Sequence, residues 1–205
     1  MGLIGYLPPD RDKSVVCEPS AAGRVKKFVH EINYCIIRQE PKNGGKHMCG
    51  IVGYIGDEQA APILLNGLSK LEYRGYDSAG IAVYNGTEIK MDKVTGRLQR
   101  LKDLTKEGST LPGTVGIGHT RWATHGSPSD TNAHPHFNKD RSIIVVHNGI
   151  IENYSKLKQR LIGKGYEFVS ETDTEVLAHL LDYYYKRSHN PLEALTKVMQ
   201  KVEGS

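Results

Sequence analysis

Cysteine is scarce in this chain of 205 residues. The three cysteines, Cys17, Cys35 and Cys49, form an odd and sparse set, whereas small secreted proteins rely on a dense, paired disulfide framework. We therefore expect a protein of the reducing cytoplasm. Long apolar runs are also lacking, since no stretch approaches the roughly 18 consecutive apolar residues of a membrane span. No apolar segment follows a basic start as in a secretory signal peptide, so the sequence predicts no membrane contact.

A strong charge of either sign is absent as well. Lysine and arginine number 27 and acidic residues 23, which gives a formal net charge of +4. That excess is too small to indicate a nucleic-acid partner. Hydrophobic residues make up 38% and charged residues 24% of the chain, as is usual for globular proteins. At roughly 100–200 residues per domain, the length allows one domain, or one domain with a small appendage.

The sequence pattern changes near Met48. Residues 1–48 show poor periodicity and scattered turn residues, among them Pro8-Pro9 and Asn43-Gly44-Gly45. We interpret residues 1–48 as a poorly ordered N-terminal extension. It is either a propeptide or, as we favour, upstream DNA translated ahead of a true start at Met48, because codons for the two glycines can read as a bacterial ribosome-binding site at a suitable spacing.

The far end of the chain also suggests a missing part. Gly204-Ser205 directly follows a helical pattern, and nothing after it could cover that helix. We therefore expect residues 49–205 to form one domain that is incomplete at its C-terminus and marginally stable alone.

Residues 49–205 alternate between strand-like and helix-like patterns. Short apolar stretches and an Asn85-Gly86 turn signal predict strands, while spaced leucines predict helices. Because several connections have only hairpin length, the pattern favours an α/β fold with antiparallel pairing over a parallel sheet. The predicted strands cover residues 51–55, 81–84, 88–94, 115–122, 142–147 and 166–169. The predicted helices cover 58–71 and 98–104, a segment starting at Asn153, a segment starting at a 172–175 capping box, and a segment starting at Asn190-Pro191.

Cys49 is the first candidate for chemistry. Removal of Met48 would leave Cys49 with a thiol and a free α-amine on one residue. An α-amine has an ordinary pKa of about 7.7–8.0, which suits a general base at neutral pH, and an N-terminal nucleophile activated by its own amine is an established arrangement. One alternative is a small buried cysteine. Another is a Cys–His hydrolase in which His147 or His119 serves as the base, and that enzyme would need no free amine.

Asn148-Gly149 follows a strongly apolar predicted strand. The Asn148 side chain offers an amide donor and Gly149 a backbone N–H, so the pair can form an oxyanion hole. The alternative is a type I′ hairpin turn, for which Asn-Gly is the commonest signal.

Two charged residues could hold the ends of an amino acid. Arg121 presents a planar fork that suits a carboxylate. Asp173 could bind an ammonium group, although an acidic residue in the first turn of a helix also complements the helix dipole. Arg74 and Asp77 could pair with each other as a structural bridge.

The histidines give no metal-binding pattern. Their spacings fit no standard zinc site, and no second cysteine lies near them in sequence. We therefore expect no metal. The residues concerned are His119, His125, His134, His136 and His147.

Taken together, these segments resemble the glutaminase domain of the glutamine–fructose-6-phosphate aminotransferase family, a group of class II glutamine amidotransferases. The resemblance covers residues 49–205. The amidophosphoribosyltransferase and asparagine synthetase relatives are the weaker alternatives, since they would differ at the second and third motifs. The motifs, in chain order, are CGIVGYIG, YRGYDSAG, HTRWATHG, NAHPH, HNGIIEN and SETDTE.

The resemblance implies an N-terminal-nucleophile hydrolase fold, in which two antiparallel sheets lie between helical layers. It implies that Cys49 attacks the side-chain amide of glutamine and that Asn148 and Gly149 stabilise the oxyanion. Arg121 would bind the α-carboxylate of glutamine and Asp173 its α-ammonium.

Four further residues take supporting roles by the same resemblance. Trp122, Thr124 and His125 would lie in the loop that covers the glutamine site, and Arg74 would support the site from behind. The released ammonia would serve fructose 6-phosphate on an isomerase domain that this sequence lacks, and the full-length family protein is expected to be a homodimer. The resemblance also implies that no organic cofactor takes part. A catalytically inert glutamine-binding fragment is the alternative from outside the enzymes.

Overall fold

The structure is a computed structural model that describes residues 2–6, 34–35, 49–122 and 126–204. For residues 2–6, 34–35 and 74 it describes the backbone. These residues form two antiparallel sheets flanked by helices. The strands are β1 Gly2–Tyr6, β2 Tyr34–Cys35, β3 Gly50–Ile55, β4 Ser78–Tyr84, β5 Ile89–Thr95, β6 Val115–Arg121, β7 His136–Phe137 and β8 Ile143–His147. The helices are α1 Ala60–Ser69, α2 Leu98–Leu104, α3 Tyr154–Ile162, α4 Glu175–Ser188 and α5 Pro191–Met199, and a single 3-10 turn covers Glu72–Arg74.

The larger sheet has the strand order β2-β3-β6-β4-β5. Each neighbouring pair is antiparallel, and β4 and β5 form the predicted hairpin around Asn85-Gly86. The Asn85 carboxamide oxygen accepts hydrogen bonds from the backbone N–H groups of Thr87 and Glu88, both at 2.9 Å. Gly86 adopts φ +100°, which a residue with a side chain rarely does. The local turn chemistry therefore sets this hairpin.

The smaller sheet has the order β1-β8-β7. Its central strand β8 is apolar and fully buried, as a strand covered on both faces should be. β1 pairs antiparallel with β8 from Gly2 opposite His147 to Tyr6 opposite Ile143. The proposed boundary at residue 48 stays a prediction, and the rest of residues 1–48 lies outside the described residues.

Two apolar clusters place the helices on opposite sides of the sheets. In the first, leucines of α1 and α2 pack with Ile81 and Val83 of β4. In the second, residues of α3, α4 and α5 pack with Ile143 and Val145 of β8. The layers thus run helix, sheet, sheet, helix, and the α/β sandwich with antiparallel sheets predicted from the sequence is confirmed.

Glycines let α1 approach the larger sheet closely. A Cβ built at Gly118 of β6 would lie 2.9 Å from Ile81 Cγ2 and 3.0 Å from Leu68 Cδ1. A Cβ at Gly116 would lie 2.8 Å from Leu64 Cδ1. The leucines of α1 therefore occupy the volume that side chains on β6 would fill.

The predicted strand at residues 166–169 is wrong, because this segment is irregular. Its last backbone N–H, at Val169, donates to the Glu175 carboxylate at 2.9 Å, and the N–H of Ser170 donates to the same carboxylate at 2.7 Å. Burial raises the pKa of Glu175, but hydrogen bonds from His179 and Ser170 outweigh it and hold the pKa at about 2. The backbone N–H groups of Val169 and Ser170 therefore bind a buried carboxylate and not a neighbouring strand.

The predicted capping box at residues 172–175 is also wrong, because the Glu175 carboxylate binds Val169 N and Ser170 N instead of the start of its own helix. Helix α4 begins after Thr174, whose side chain makes no capping hydrogen bond. Asp173 therefore precedes the helix and is not in its first turn. The predicted cap of α5 is confirmed, since the Asn190 side chain accepts from Leu192 N and Glu193 N and Pro191 is the first helical residue.

Asn153 precedes α3 as predicted, but its side chain binds elsewhere. Its Nδ2 donates to Lys201 O at 2.8 Å, and its Oδ1 accepts from Glu203 N at 3.2 Å. Glu152 N donates to Glu203 O at 2.9 Å, and Ile151 forms an antiparallel bridge with Gly204. The residues after α5 thus hold the segment that follows Asn148-Gly149.

Candidate active site

Cys49 lies immediately before β3, beside the end of β6. Because β3 and β6 are antiparallel, with Gly50 opposite Thr120, Cys49 faces the segment Arg121-Trp122. Trp122 N donates a hydrogen bond to Cys49 Sγ at 3.1 Å, and Sγ lies 3.5 Å from Trp122 O. The larger sheet therefore fixes the position of the thiol.

Burial raises the pKa of the Cys49 thiol above its ordinary value. The Trp122 N–H and the Arg121 guanidinium oppose that effect, while the Asp77 carboxylate adds to it. The thiol is therefore protonated at neutral pH, and a nucleophilic role requires a base.

Asn148 lies beside Cys49, although 99 residues separate them in sequence. Its Nδ2 donates to the Cys49 carbonyl oxygen at 2.9 Å, and its Oδ1 lies 2.7 Å from His119 Nε2. Asn148 is not among the residues with positive φ, and the chain continues towards α3. The type I′ hairpin turn is therefore wrong for Asn148-Gly149.

Asp173 supports the same segment from α4's side. Its Oδ2 accepts a hydrogen bond from Ile151 N at 2.8 Å, and the residue is only 4% exposed. This hydrogen bond to Ile151 fixes the backbone just after Asn148 and Gly149, the predicted oxyanion donors.

Arg121 ends β6 and is buried. One of its terminal nitrogens, Nη2, donates to Gly126 O at 3.1 Å. Gly75 packs so tightly against the Arg121-Trp122 backbone that a Cβ there would lie 2.7 Å from Arg121 C. The Trp122 ring meets the half-exposed Tyr76 ring edge-on, with centroids 5.3 Å apart. These contacts hold both residues against the site.

The catalytic and binding roles of all the predicted site residues stay predictions. Thr124 and His125 lie outside the described residues, and Arg74 is described by its backbone, which forms the 3-10 turn before Gly75. The structure brings Cys49, just before β3, beside the Asn148 amide donor, just after β8. The buried Arg121 ends β6, and the buried Asp173 lies before α4.

A model of the glutamine amidotransferase domain matches residues 90–195, just over half of the chain. This chain belongs to the glutamine amidotransferase domain family. The glutamine–fructose-6-phosphate aminotransferase [isomerizing] of Caldanaerobacter subterraneus subsp. tengcongensis is 62% identical over 158 residues, which are 77% of this chain and 26% of that protein. The protein of the same name from Clostridium tetani is 61% identical over 158 residues, with the same coverage. The chain thus spans about a quarter of the length of these curated relatives.

Two solved structures share the fold of the amidotransferase domain. One is glutamine phosphoribosylpyrophosphate amidotransferase from B. subtilis in complex with ADP and GMP, with a TM-score of 0.64 and 30% identity over 75% of this chain and 33% of that chain. The other is described as the allosteric regulatory enzyme of purine biosynthesis, with a TM-score of 0.65 and 31% identity over 76% and 33%. The predicted family resemblance and the N-terminal-nucleophile fold class are confirmed.

The amidotransferase domain also contains a buried layer of histidines that the sequence analysis did not predict. The His119 and His134 rings stack at 4.2 Å, and His136 meets His134 edge-on at 4.6 Å. Burial lowers the pKa of His119 to about 4 and holds those of His134 and His136 well below their ordinary value. His119 falls in the predicted strand at residues 115–122, whereas His134 and His136 lie outside every predicted element. The structure places His119 in β6, His136 in β7 and His134 just before β7.

The contacts of His119 argue against a Cys49–His119 pair. His119 directs Nε2 to Asn148, and His147 Nδ1 lies 3.3 Å from Thr174 Oγ1. An imidazole with a pKa of about 4 is also a poor base at neutral pH.

Within the parts of the chain that the structure describes, no group of three or more His, Cys, Asp or Glu side chains could hold a metal ion. Over the same residues, no helix is long and apolar enough to cross a membrane.

Proposed function

We propose that this amidotransferase domain hydrolyses the side-chain amide of L-glutamine at Cys49, in a chain that begins at Cys49. The observation that carries the proposal is the placement of the Asn148 amide donor 2.9 Å from the carbonyl of the cysteine whose thiol contacts Trp122 N–H. A nucleophile and an oxyanion donor from opposite sheets meet there. Family membership supplies the substrate class.

The protonated thiol explains why the α-amine matters. Because burial raises the pKa of Cys49, the side chain needs a base, and the α-amine of an N-terminal Cys49 has an ordinary pKa of about 7.7–8.0. The amine takes the thiol proton while Sγ adds to the carboxamide carbon of glutamine. Asn148 Nδ2 and Gly149 N–H donate to the oxyanion that forms.

Collapse of this tetrahedral intermediate breaks the C–N bond. The α-ammonium returns its proton to the leaving nitrogen, so ammonia departs and a thioester to Cys49 remains. Water then adds to the thioester carbon while the amine takes one proton. Expulsion of the thiolate releases glutamate and restores Cys49.

Arg121 and Asp173 serve as the substrate clamp in this proposal. The Arg121 guanidinium binds the α-carboxylate of glutamine, because its planar fork can donate two parallel hydrogen bonds. The Asp173 carboxylate binds the α-ammonium. Trp122, Thr124 and His125 cover the bound substrate, and Arg74 supports the site.

The names of the curated relatives suggest the fate of the ammonia. We propose that a longer form of this protein transfers it to fructose 6-phosphate on a second, isomerase domain, as a homodimer in the cytoplasm. This proposal rests on the relatives, which are about four times as long as the matched segment.

The test compares two forms of the chain with L-glutamine. One form starts at Met1, and the other is produced from Met48 so that removal of the methionine exposes Cys49, which intact mass verifies. We expect glutamate and ammonia in equal amounts from the second form only. A glutamine analogue with a chloromethyl ketone in place of the amide should alkylate Sγ with loss of chloride and be found by mass on the Cys49 peptide, and Cys49→Ser should abolish both results.

Two outcomes would contradict the proposal. Equal activity of the Met1 form would favour a mechanism without the α-amine. A Cys49 form that unfolds cooperatively and binds glutamine, but releases no glutamate, would indicate an inert glutamine-binding domain.

A further inference from the structure

The Asn148 carboxamide makes two hydrogen bonds in opposite directions. One side, Nδ2, lies 2.9 Å from the Cys49 carbonyl oxygen, and the other, Oδ1, lies 2.7 Å from His119 Nε2. A backbone carbonyl can only accept. The nitrogen of the carboxamide must therefore face Cys49, and the oxygen must face His119.

This orientation fixes the proton on the imidazole. Because Oδ1 can only accept, His119 Nε2 must carry a hydrogen. If the carboxamide turned by 180°, Oδ1 would meet the Cys49 carbonyl oxygen and that hydrogen bond would be lost. The NH2 group could then donate to Nε2 only if the ring proton moved to Nδ1, which is buried without a hydrogen-bond partner among the described residues. His119 therefore discriminates between the two orientations of the amide.

The surroundings of His119 keep its ring in place. His119 lies in β6 between Ile51 of β3 and Gly80 of β4 in the strand register. Its ring is 1% exposed and stacks on His134. His134 Nδ1 in turn accepts from His147 N at 3.4 Å, and a Cβ at Gly80 would collide with the His134 carbonyl oxygen.

We propose that His119 is a positioning residue whose Nε2–H holds the Asn148 carboxamide with its NH2 group towards the reacting centre at Cys49. The inference rests on the proposed glutaminase function. It extends that function by one buried residue that makes no contact with the substrate and acts through Asn148.

The test uses three substitutions that move or remove the donor. In His119→Gln the side-chain NH2 can reach the place of Nε2, in His119→Asn a donor is nearer to the place of Nδ1, and in His119→Leu there is none. In the form that begins at Cys49, we expect His119→Leu and His119→Asn to lower kcat by about 10²–10³-fold, the usual effect of losing one oxyanion donor. We expect His119→Gln to recover most of that loss, with KM within about three-fold of the parent in all three, since the interaction acts on the transition state.

A matched control is His179→Leu. His179 is also buried, but its Nε2 lies 3.3 Å from Glu175 Oε1 in α4. It should leave kcat within about two-fold of the parent, because it removes a buried imidazole without touching Asn148.

A second readout needs no activity. In the full 205-residue chain labelled with 15N, the two side-chain N–H signals of Asn148 should shift and broaden in His119→Leu and stay near their parental positions in His119→Gln. If the parent releases no glutamate but these shifts occur, the glutaminase proposal fails and the positioning role stands. If the parent is active and His119→Leu keeps both its kcat and its Asn148 signals, or if His119→Gln is as impaired as His119→Leu, the inference is overturned.

Discussion

Single side chains at the candidate site act in pairs from distant parts of the chain. Cys49 lies against Trp122, which follows the neighbouring strand β6, and Asn148 contacts both Cys49 and His119. The amide group of Asn148 is useful because it has a donor side and an acceptor side. Aspartate has the same shape as asparagine but carries two acceptor oxygens, so Asn148→Asp removes the donor and keeps the acceptor.

We predict that Asn148→Asp lowers kcat for glutamate release by about 10²–10³-fold, because one oxyanion donor is lost. The carboxylate can still accept from His119 Nε2, but its second oxygen meets the Cys49 carbonyl oxygen, to which Asn148 donates in the parent. Cooperative urea unfolding therefore verifies that the variant is folded, and its KM should stay within about three-fold of the parent. Glutamate release at varied glutamine concentration measures both constants. A kcat within about five-fold of the parent would mean that Asn148 does not donate to the transition state.

Elements pack through glycines where α1 crosses the larger sheet. A Cβ built at Gly118 of β6 would lie closer than an ordinary contact to Leu68 of α1 and Ile81 of β4. We predict that Gly118→Ala destabilises the domain by about 1–3 kcal/mol, the usual effect of overpacking a filled core. Urea unfolding of parent and variant measures the free energy difference.

Gly163, which ends α3, is the matched control for that substitution. It is exposed and has φ −62°, and the nearest atom to a Cβ there would be 3.6 Å away. Gly163→Ala should be neutral or stabilise by up to about 1 kcal/mol, because alanine restricts the unfolded chain. Equal effects of the two substitutions would show that α1 does not restrict Gly118.

The whole molecule has a polar layer in its interior, where most domains have aliphatic side chains. His119, His134 and His136 are buried with pKa values well below those of free histidine, and that of His119 is about 4. Between pH 6.5 and about 4 the unfolded chain binds protons at these histidines and the folded chain does not. The contribution of these neutral histidines to the free energy of unfolding is therefore fully present above about pH 6.5 and decreases as the pH falls towards 4.

We predict that the free energy of unfolding falls between pH 7 and pH 4.5, by up to about 1.4 kcal/mol per pH unit for each of these histidines. Urea unfolding at several pH values measures the slope. His134→Gln should make the slope shallower, whereas His189→Gln, at the exposed end of α4, should not change it. Equal stability of the parent at pH 7 and pH 5 would contradict the prediction.

Local patterns were sufficient for the elements whose causes are local. The Asn85-Gly86 hairpin, the Asn190-Pro191 helix start and the apolar strand β8 were all predicted, because turn geometry, capping and alternation depend on neighbours in sequence. The strand at residues 166–169 and the capping box at 172–175 were wrong for one shared reason. Glu175 takes the N–H groups of Val169 and Ser170 in the interior, and the sequence pattern does not show that competition.

The sequence by itself determined the α/β class, the antiparallel pairing and the candidate nucleophile at Cys49, since these follow from periodicity and residue chemistry. It also named Asn148 and Asp173, but with local alternatives that sequence reasoning could not remove. Only the tertiary structure decided that Asn148 faces Cys49 across 99 residues, that Asp173 holds Ile151, and that His119 holds Asn148. The physical reason is that hydrogen bonds form between groups made neighbours by the packing of two sheets, and that proximity does not exist along the chain.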